Sequence, residues 1–172
     1  MPERRSIRLP FYDYGSAGGF FVTINTHKRL PTFGKLRSGE VELNWIGRIA
    51  EEKWVQLPEH FPQVSLDAYI VMPTHMHGIL FITEDDIEQA KSHVRATHAS
   101  PIQKARGPKL GSLGAIIGSY KSAVTKAVNQ LRSTPGQSVW HRNYYERVIR
   151  NQKELDEIRH YIENNAIKEN PA

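Results

Sequence analysis

The stretch Val64-Ser65-Leu66-Asp67-Ala68-Tyr69-Ile70-Val71-Met72-Pro73-Thr74-His75-Met76-His77-Gly78-Ile79-Leu80-Phe81-Ile82-Thr83 decides how this chain folds. Two apolar runs rich in β-branched and aromatic residues flank one proline, which cannot continue a central strand. The first run therefore reads as a strand ending at Met72. The second reads as a strand from about His75 to Thr83, and the tight link between them makes the two antiparallel neighbours. The second strand opens on His75-Met76-His77. Residues two apart on an extended backbone point to one side, so both imidazoles can face one metal ion while Met76 turns into the core. Neutral imidazole is the commonest side-chain metal ligand. A His-apolar-His triplet also occurs on surfaces and in packed interiors, but this one sits where a strand enters the sheet just after a turn.

Working outward, Phe20-Phe21-Val22-Thr23-Ile24-Asn25-Thr26 follows Gly18-Gly19, read as a turn, and predicts a buried strand. Trp45, Ile46, Ile49, Ala50, Trp54 and Leu57 fall at helical spacing, with Asn44 placed to cap a helix over 45–57. Leu113, Ile116, Ile117, Tyr120, Val124, Val128 and Leu131 make a second helical stripe, broken by Thr134-Pro135-Gly136. Val139 to Ile149 predicts a strand, and a last helix starts near Asn151, where Glu154 supplies the partner of a capping box. Strand, helix, strand, strand, helix, strand is the ferredoxin-like split βαβ order, here with an added C-terminal helix. The expectation is an α+β fold with an antiparallel sheet, forming one domain over residues 1–172. Between its elements, Glu84 to Gly111 is polar, holds prolines and glycines, and lacks a period. It predicts a mobile insert.

Composition narrows the function classes. The 172 residues, 39% hydrophobic, are enough to bury a core, and the absence of cysteine excludes disulfide scaffolds and thiolate metal sites. No apolar run approaches the length of a membrane span, and Met1 to Pro10 is polar and basic without the apolar stretch of a secretory signal. These features predict a cytoplasmic protein without a membrane partner. The net charge is +5, unevenly spread: between Lys91 and Arg150 lie eleven Lys or Arg and one acid, Glu146. That stretch carries +10 and the remainder −5. Such a segment is either a solvated face or a phosphate-binding surface.

On the last helix, Leu155, Ile158 and Ile162 form the core stripe. Tyr161 and Asn165, four apart, share a face at its edge. Most helical tyrosines simply pack against a sheet, and the pair gains meaning only beside its neighbours. Four segments in order resemble the REP-associated tyrosine transposases, relatives of the insertion-sequence single-tyrosine transposases with an HUH endonuclease fold. The segments are Gly19 through His27, Tyr69 through Gly78, Ile116-Ile117-Gly118-Ser119-Tyr120-Lys121-Ser122, and Val139-Trp140-His141-Arg142-Asn143-Tyr144-Tyr145-Glu146 running on through Ile149-Arg150-Asn151 to Tyr161-Ile162. The likeness spans nearly the whole chain outside the Glu84–Gly111 insert.

The resemblance implies that His75 and His77 are the pair that holds a divalent metal; N and O ligands suit Mg²⁺ or Mn²⁺, and two imidazoles also admit Zn²⁺ or Co²⁺. It makes Tyr161 the nucleophile and Asn165 a third metal ligand. The chain departs from the family pattern at Thr74, where Asn is common, at His141, where Gln is common, and at Ala166, where Pro often follows. The implied reaction is cutting and rejoining of single-stranded DNA through a 5′-phosphotyrosine, which leaves a free 3′-OH and needs no nucleotide cofactor. The implied partners are single-stranded or hairpin DNA, with REP-like repeats as the expected target and the nucleoid as the place of action. The chain would act as a monomer or a homodimer, since both occur among such proteins. Lys121 and Arg142 are the preferred phosphate contacts, joined by Lys126 and Arg147, and by Lys104, Arg106 and Lys109 in the insert. Two other readings stay open: a domesticated fold that binds hairpin DNA or structured RNA without cutting, and a phosphohydrolase acting through water. The richer histidine motifs of metallo-hydrolases are not met, since Gly78, Ile79 and Leu80 follow the pair.

Overall fold

The computed structural model describes residues 17–83 and 111–165. Four strands, β1 (Gly18–Asn25), β4 (Val64–Val71), β5 (His75–Ile82) and β6 (Tyr145–Ile149), form one sheet in the order β4-β5-β1-β6. Every neighbouring pair is antiparallel. This is the expected ferredoxin-like arrangement, in which β5 lies between the strands that flank the first helix. The helices are α1 (Trp45–Val55), α2 (Leu57–His60), α3 (Leu113–Arg132) and α4 (Gln152–Glu163). Among the described residues no helix is long and apolar enough to cross a membrane.

Local chemistry sets most of the boundaries. Asn44 caps α1, its side chain accepting from the Ile46 and Gly47 amides. Asn151 caps α4 by accepting from the Glu154 amide at 2.9 Å, and Glu154 answers by accepting from the amide of Arg150 rather than of Asn151. At the far end of α3, Ser133 takes the left-handed conformation with φ 55° and the chain turns away. Between β4 and β5, the Met72 amide donates to His75 at 2.8 Å across the Pro73-Thr74 link.

The sheet has a large and a small core. The large one packs Phe20, Val22, Ile24, Met76, Leu80 and Ile82 beneath α1 and α3. There Tyr120 of α3 donates to the Ala50 carbonyl of α1, and the Trp54 indole presses so closely on β5 that a methyl at Gly78 would overlap it. The small core joins Phe21 and Ile79 to Leu155, Ile158 and Ile162 of α4. Within β4 the pairing register shifts between Leu66 and Tyr69. Such a bulge changes which side chains face which layer: Leu66 and Tyr69 pack on the large core, Ala68 and Ile70 on the small one.

Several expectations need correction. A hairpin of β2 (Gly34–Arg37) and β3 (Glu40–Leu43) precedes α1 and forms its own two-stranded sheet. It is short, with alternating charges and no strong apolar signal. The strand read over 139–149 is regular only over Tyr145–Ile149, with a single bridge between Trp140 and Thr26 upstream. Gly18-Gly19 lies inside β1, not in a turn, and a side chain at Gly19 would collide with Phe81 across the ladder. The helix read to Leu57 ends at Val55, and α2 takes over with Pro58 in its first turn. Leu131, placed on the apolar stripe, is 70% exposed. The Glu84–Gly111 insert lies outside the described residues but for Gly111, whose φ of 75° starts the approach to α3.

Candidate active site

The face of the sheet under α4 is where polar side chains gather. Because β1 and β5 pair antiparallel, Thr23 stands opposite His77 and Asn25 opposite His75. Both histidines are buried, at 8% and 5% exposure, and Met76 between them is fully buried on the other face, as the alternation predicts. Their Nε2 atoms converge to 3.0 Å. Each ring is held from behind: Thr23 Oγ1 lies 2.8 Å from His77 Nδ1, and Thr74 Oγ1 lies 3.0 Å from His75 Nδ1. A hydroxyl that takes the Nδ1 proton leaves the Nε2 lone pair facing the site. Burial, and then the nearby His75, push the His77 pKa down to about 3, so this ring is neutral at physiological pH.

Tyr161 comes to the same place from α4. Its hydroxyl is 3.4 Å from His77 Nε2, and its ring meets His77 edge-on at 5.2 Å. Phe21 stacks on His77 at 5.3 Å and meets Tyr161 at right angles at 6.1 Å, so one aromatic side chain fixes the spacing of both. The phenol remains reachable, at 40% exposure. Two contacts hold α4 in register beneath it. Arg159 grips Asp67 at the β4 bulge through two bonds, of 2.6 and 2.9 Å, and this guanidinium holds the Asp67 carboxyl below the usual carboxylate range. Arg147 of β6 meets Glu154 at 3.3 Å.

One turn beyond Tyr161, Asn165 is buried at 4% exposure, and its Oδ1 has no hydrogen-bond partner among the described residues. A buried amide oxygen without a partner is costly and suits a ligand role. Among the described residues no group of three or more His, Cys, Asp or Glu is placed to hold a metal ion, so a metal here would draw on these imidazoles and on amide oxygen. The two nitrogens fit: 3.0 Å is the span of adjacent ligands each about 2.1 Å from one ion at right angles.

Lys121, Lys126 and Arg142 lie together, away from this centre. They line a groove of about 430 Å³ between α3 and the segment leading to β6. Lys121 donates to the His141 and Arg142 carbonyls at 2.8 and 2.9 Å, and burial lowers its pKa. That ammonium clasps the segment, while Lys126 and Arg142 are exposed. The segment leads back toward the histidines, since the His141 amide donates to Asn25, the residue opposite His75. Lys104, Arg106 and Lys109 lie outside the described residues.

Sequence reading missed Thr23 and Phe21 as site residues. Both sit in a strand read as core, although Thr23 and Asn25 alternate with its apolar residues. It also missed the turn after β1, where Lys28 and Arg29 adopt φ of 54° and 55°. Thr26 ties this turn to the Thr74 carbonyl through its amide and its hydroxyl.

A ferredoxin-like sheet thus brings two histidines and a helix-borne tyrosine together on one face. Comparison with solved structures agrees: the chain superposes on a REP-associated tyrosine transposase bound to a REP hairpin with a TM-score of 0.61. The match covers 98% of this chain and 74% of that one at 19% identity, which establishes the fold. In sequence, the chain is 37% identical over 171 residues to an uncharacterized protein of Haemophilus influenzae (strain ATCC 51907 / DSM 11121 / KW20 / Rd), covering 96% of this chain and 89% of that protein. The chain belongs to the same family as that protein. No family model matches.

Proposed function

We propose that this protein is a single-strand DNA nuclease and ligase of the transposase type, with Tyr161 as its nucleophile. The observation that supports this best is the convergence of His75 Nε2, His77 Nε2 and the Tyr161 hydroxyl on one point of the sheet. Structural tyrosines have no need of two buried imidazoles, each oriented by a threonine. The likeness to a transposase that was solved with a REP hairpin makes hairpin or single-stranded DNA the substrate to try first.

The residues divide the labour as follows. Thr23 and Thr74 orient the imidazoles, and burial keeps His77 neutral and able to donate its lone pair. His75, His77 and the Asn165 amide oxygen would hold a divalent ion, Mg²⁺ or Mn²⁺. That ion would polarise the scissile phosphate and offset charge in the displacement. Phe21 and the Arg159–Asp67 pair hold the Tyr161 ring in place. The phenol oxygen attacks phosphorus and gives up its proton, the P–O3′ bond breaks, and the 3′ oxygen leaves as a hydroxyl. The DNA 5′ end is then a tyrosyl phosphodiester. A neutral phenol is a weak nucleophile, and the fold contributes its placement close to the ligand nitrogens. Rejoining reverses these steps, with the incoming 3′-OH displacing the tyrosine oxygen. Lys126 and Arg142 would carry the flanking phosphates.

The test is a labelled single-stranded oligonucleotide pool with Mn²⁺, resolved on a denaturing gel, and the adduct mapped by mass spectrometry. The nucleotide should sit on Tyr161, and Tyr161→Phe should form no adduct while DNA binding is kept. Adduct on Tyr144 or Tyr145 would overturn the assignment.

A further inference from the structure

Beside the tyrosine lies a hollow that neither the metal ligands nor the basic groove uses. It encloses about 280 Å³ and is lined by Phe21, Tyr145, Arg147, Glu157, Ile158 and Tyr161. Its construction follows from the sheet order. β6 is the edge strand, and its residues Tyr145 and Arg147 stand opposite Thr23 and Phe21, on the face that α4 covers. Because β6 ends the sheet, among the described residues no further strand stands beyond Tyr145, which is 44% exposed although large and aromatic. Phe21 forms an apolar floor, at 8% exposure, and meets Tyr161 edge-on. Glu157, one helical turn before Tyr161, brings the carboxylate among the lining residues.

The charges say what could enter. Arg147 is paired with Glu154 at 3.3 Å, and Glu157, whose carboxylate meets the well-exposed Lys153 ammonium at 4.0 Å, keeps an acidic group at the hollow, so the hollow is a poor seat for a phosphate. Its size is just below the range for small-molecule pockets, about 300–1,000 Å³. That suits one flat ring system with its sugar better than two stacked ones. Aromatic walls and one hydrogen-bond acceptor are the features that take up an unstacked base. We propose that this hollow seats one nucleobase next to the cut, stacked on Tyr145, with Glu157 favouring bases that carry an exocyclic amino group. A carboxylate accepts from such an amine, as in the pairing of Glu with the cytosine amino group, and finds no donor on the corresponding group of thymine. Holding this base would set the neighbouring phosphate against Tyr161. The inference rests on the single-strand nuclease reading.

The two can be separated by measuring binding without cleavage. Fluorescently labelled homopolymers of deoxycytidine, deoxyadenosine and thymidine are titrated with the full chain in excess EDTA. Deoxycytidine and deoxyadenosine should bind several-fold tighter than thymidine. Tyr145→Ala should weaken binding of those two by about tenfold, within the range for removing one stacking aromatic, while Tyr145→Phe should retain it. Glu157→Gln should narrow the preference over thymidine. An oligonucleotide carrying 5-iodocytosine should photocrosslink to Tyr145. Equal affinities in wild type and both Tyr145→Ala and Glu157→Gln, or crosslinks confined to the α3 groove, would overturn the pocket. Weakening by Tyr145→Ala alone would keep the stacking and remove the base choice. Failure of all three polymers to bind would end the pocket and leave the nuclease to the adduct assay. Base preference without any Mn²⁺-dependent adduct would end the nuclease alone, and adduct indifferent to Tyr145 and Glu157 would end the pocket alone.

Discussion

Alternate residues of β5 face two different worlds. Met76, Leu80 and Ile82 point into the layer under α1 and α3, where they are buried among aliphatic and aromatic side chains. His75 and His77 point the other way, and are just as buried, yet are surrounded by Thr23, Thr74, Phe21 and Tyr161. The first face is apolar and closed by two helices. The second is closed, among the described residues, by α4, a helix held by a small apolar cluster and by ion pairs at its flanks. One strand therefore divides stability from chemistry by the period of its backbone, and substitutions on its two faces should fail in opposite ways.

The sharpest contrast is between His77→Ala and Leu80→Ala, three residues apart. His77→Ala should abolish adduct formation and divalent-ion binding by calorimetry, and leave a cooperative unfolding transition. Leu80→Ala opens a cavity in the large core and should cost about 2–5 kcal/mol in denaturant unfolding. The molecules that remain folded should still cut. If both variants lost stability equally and kept activity, the two-face division would be wrong.

A milder break targets the clamp on α4. Arg159 reaches Asp67 beside the bulge and lies two residues before Tyr161. Arg159→Ala should leave His75 and His77 in place, so the two imidazoles should still bind an ion, with affinity lowered only by the share of Asn165, which the same helix carries. Small misplacement of a reacting group costs rate steeply, and adduct formation should slow about ten- to hundredfold. Swapping the charges, with Asp67→Arg and Arg159→Asp together, should recover part of that loss. An ion affinity that falls as steeply as the rate would mean that the clamp shapes the metal ligands and not the tyrosine.

The division of faces also has a pH signature. The folded pKa of His77 is about 3, below its ordinary value of 6.5. Native protein therefore binds fewer protons there than unfolded chain, so stability is full above pH 6.5 and drains away as pH falls from 6.5 toward 3. In EDTA the loss should be on the order of 1 kcal/mol per pH unit at most, and His77→Gln should flatten it. An unchanged slope in that variant would place the sensitivity in other groups.

The histidine pair, its strand and the partition of Met76 to the other face were legible because a two-residue period is a local property. The caps at Asn44 and Asn151 were legible for the same reason. The partners Thr23 and Phe21 were not, because they depend on the register between β1 and β5, which no stretch of sequence contains by itself. The β4 bulge was hidden too: it exchanges faces midway through Val64–Val71, and apolar residues on both sides of the sheet mask the exchange. Residues 139–144 were overread as strand because Val139, Trp140 and Tyr144 are apolar or aromatic. In the fold Val139 and Trp140 are buried and Tyr144 packs against the large core from an irregular segment.

The smallest effects should come from the basic groove, where the sequence placed Lys121 and Arg142 together as phosphate contacts. The fold does bring them into one groove but gives them different work. Lys121 uses its ammonium on two backbone carbonyls, half-buried, whereas Lys126 and Arg142 stand in solvent along the same groove. If the groove tracks a DNA backbone, Lys126→Gln and Arg142→Gln should each lower the slope of log affinity against log salt by about 0.7, the share of one phosphate on a single strand. Lys121→Met should act differently. It frees the His141 and Arg142 carbonyls and lets the segment shift, so affinity should fall at every salt concentration with little change of slope. Binding isotherms over a range of potassium chloride concentrations distinguish the two patterns. A loss of about 0.7 from the slope in Lys121→Met would return that lysine to the phosphates, and unchanged slopes in the other two would move DNA contact off this groove altogether.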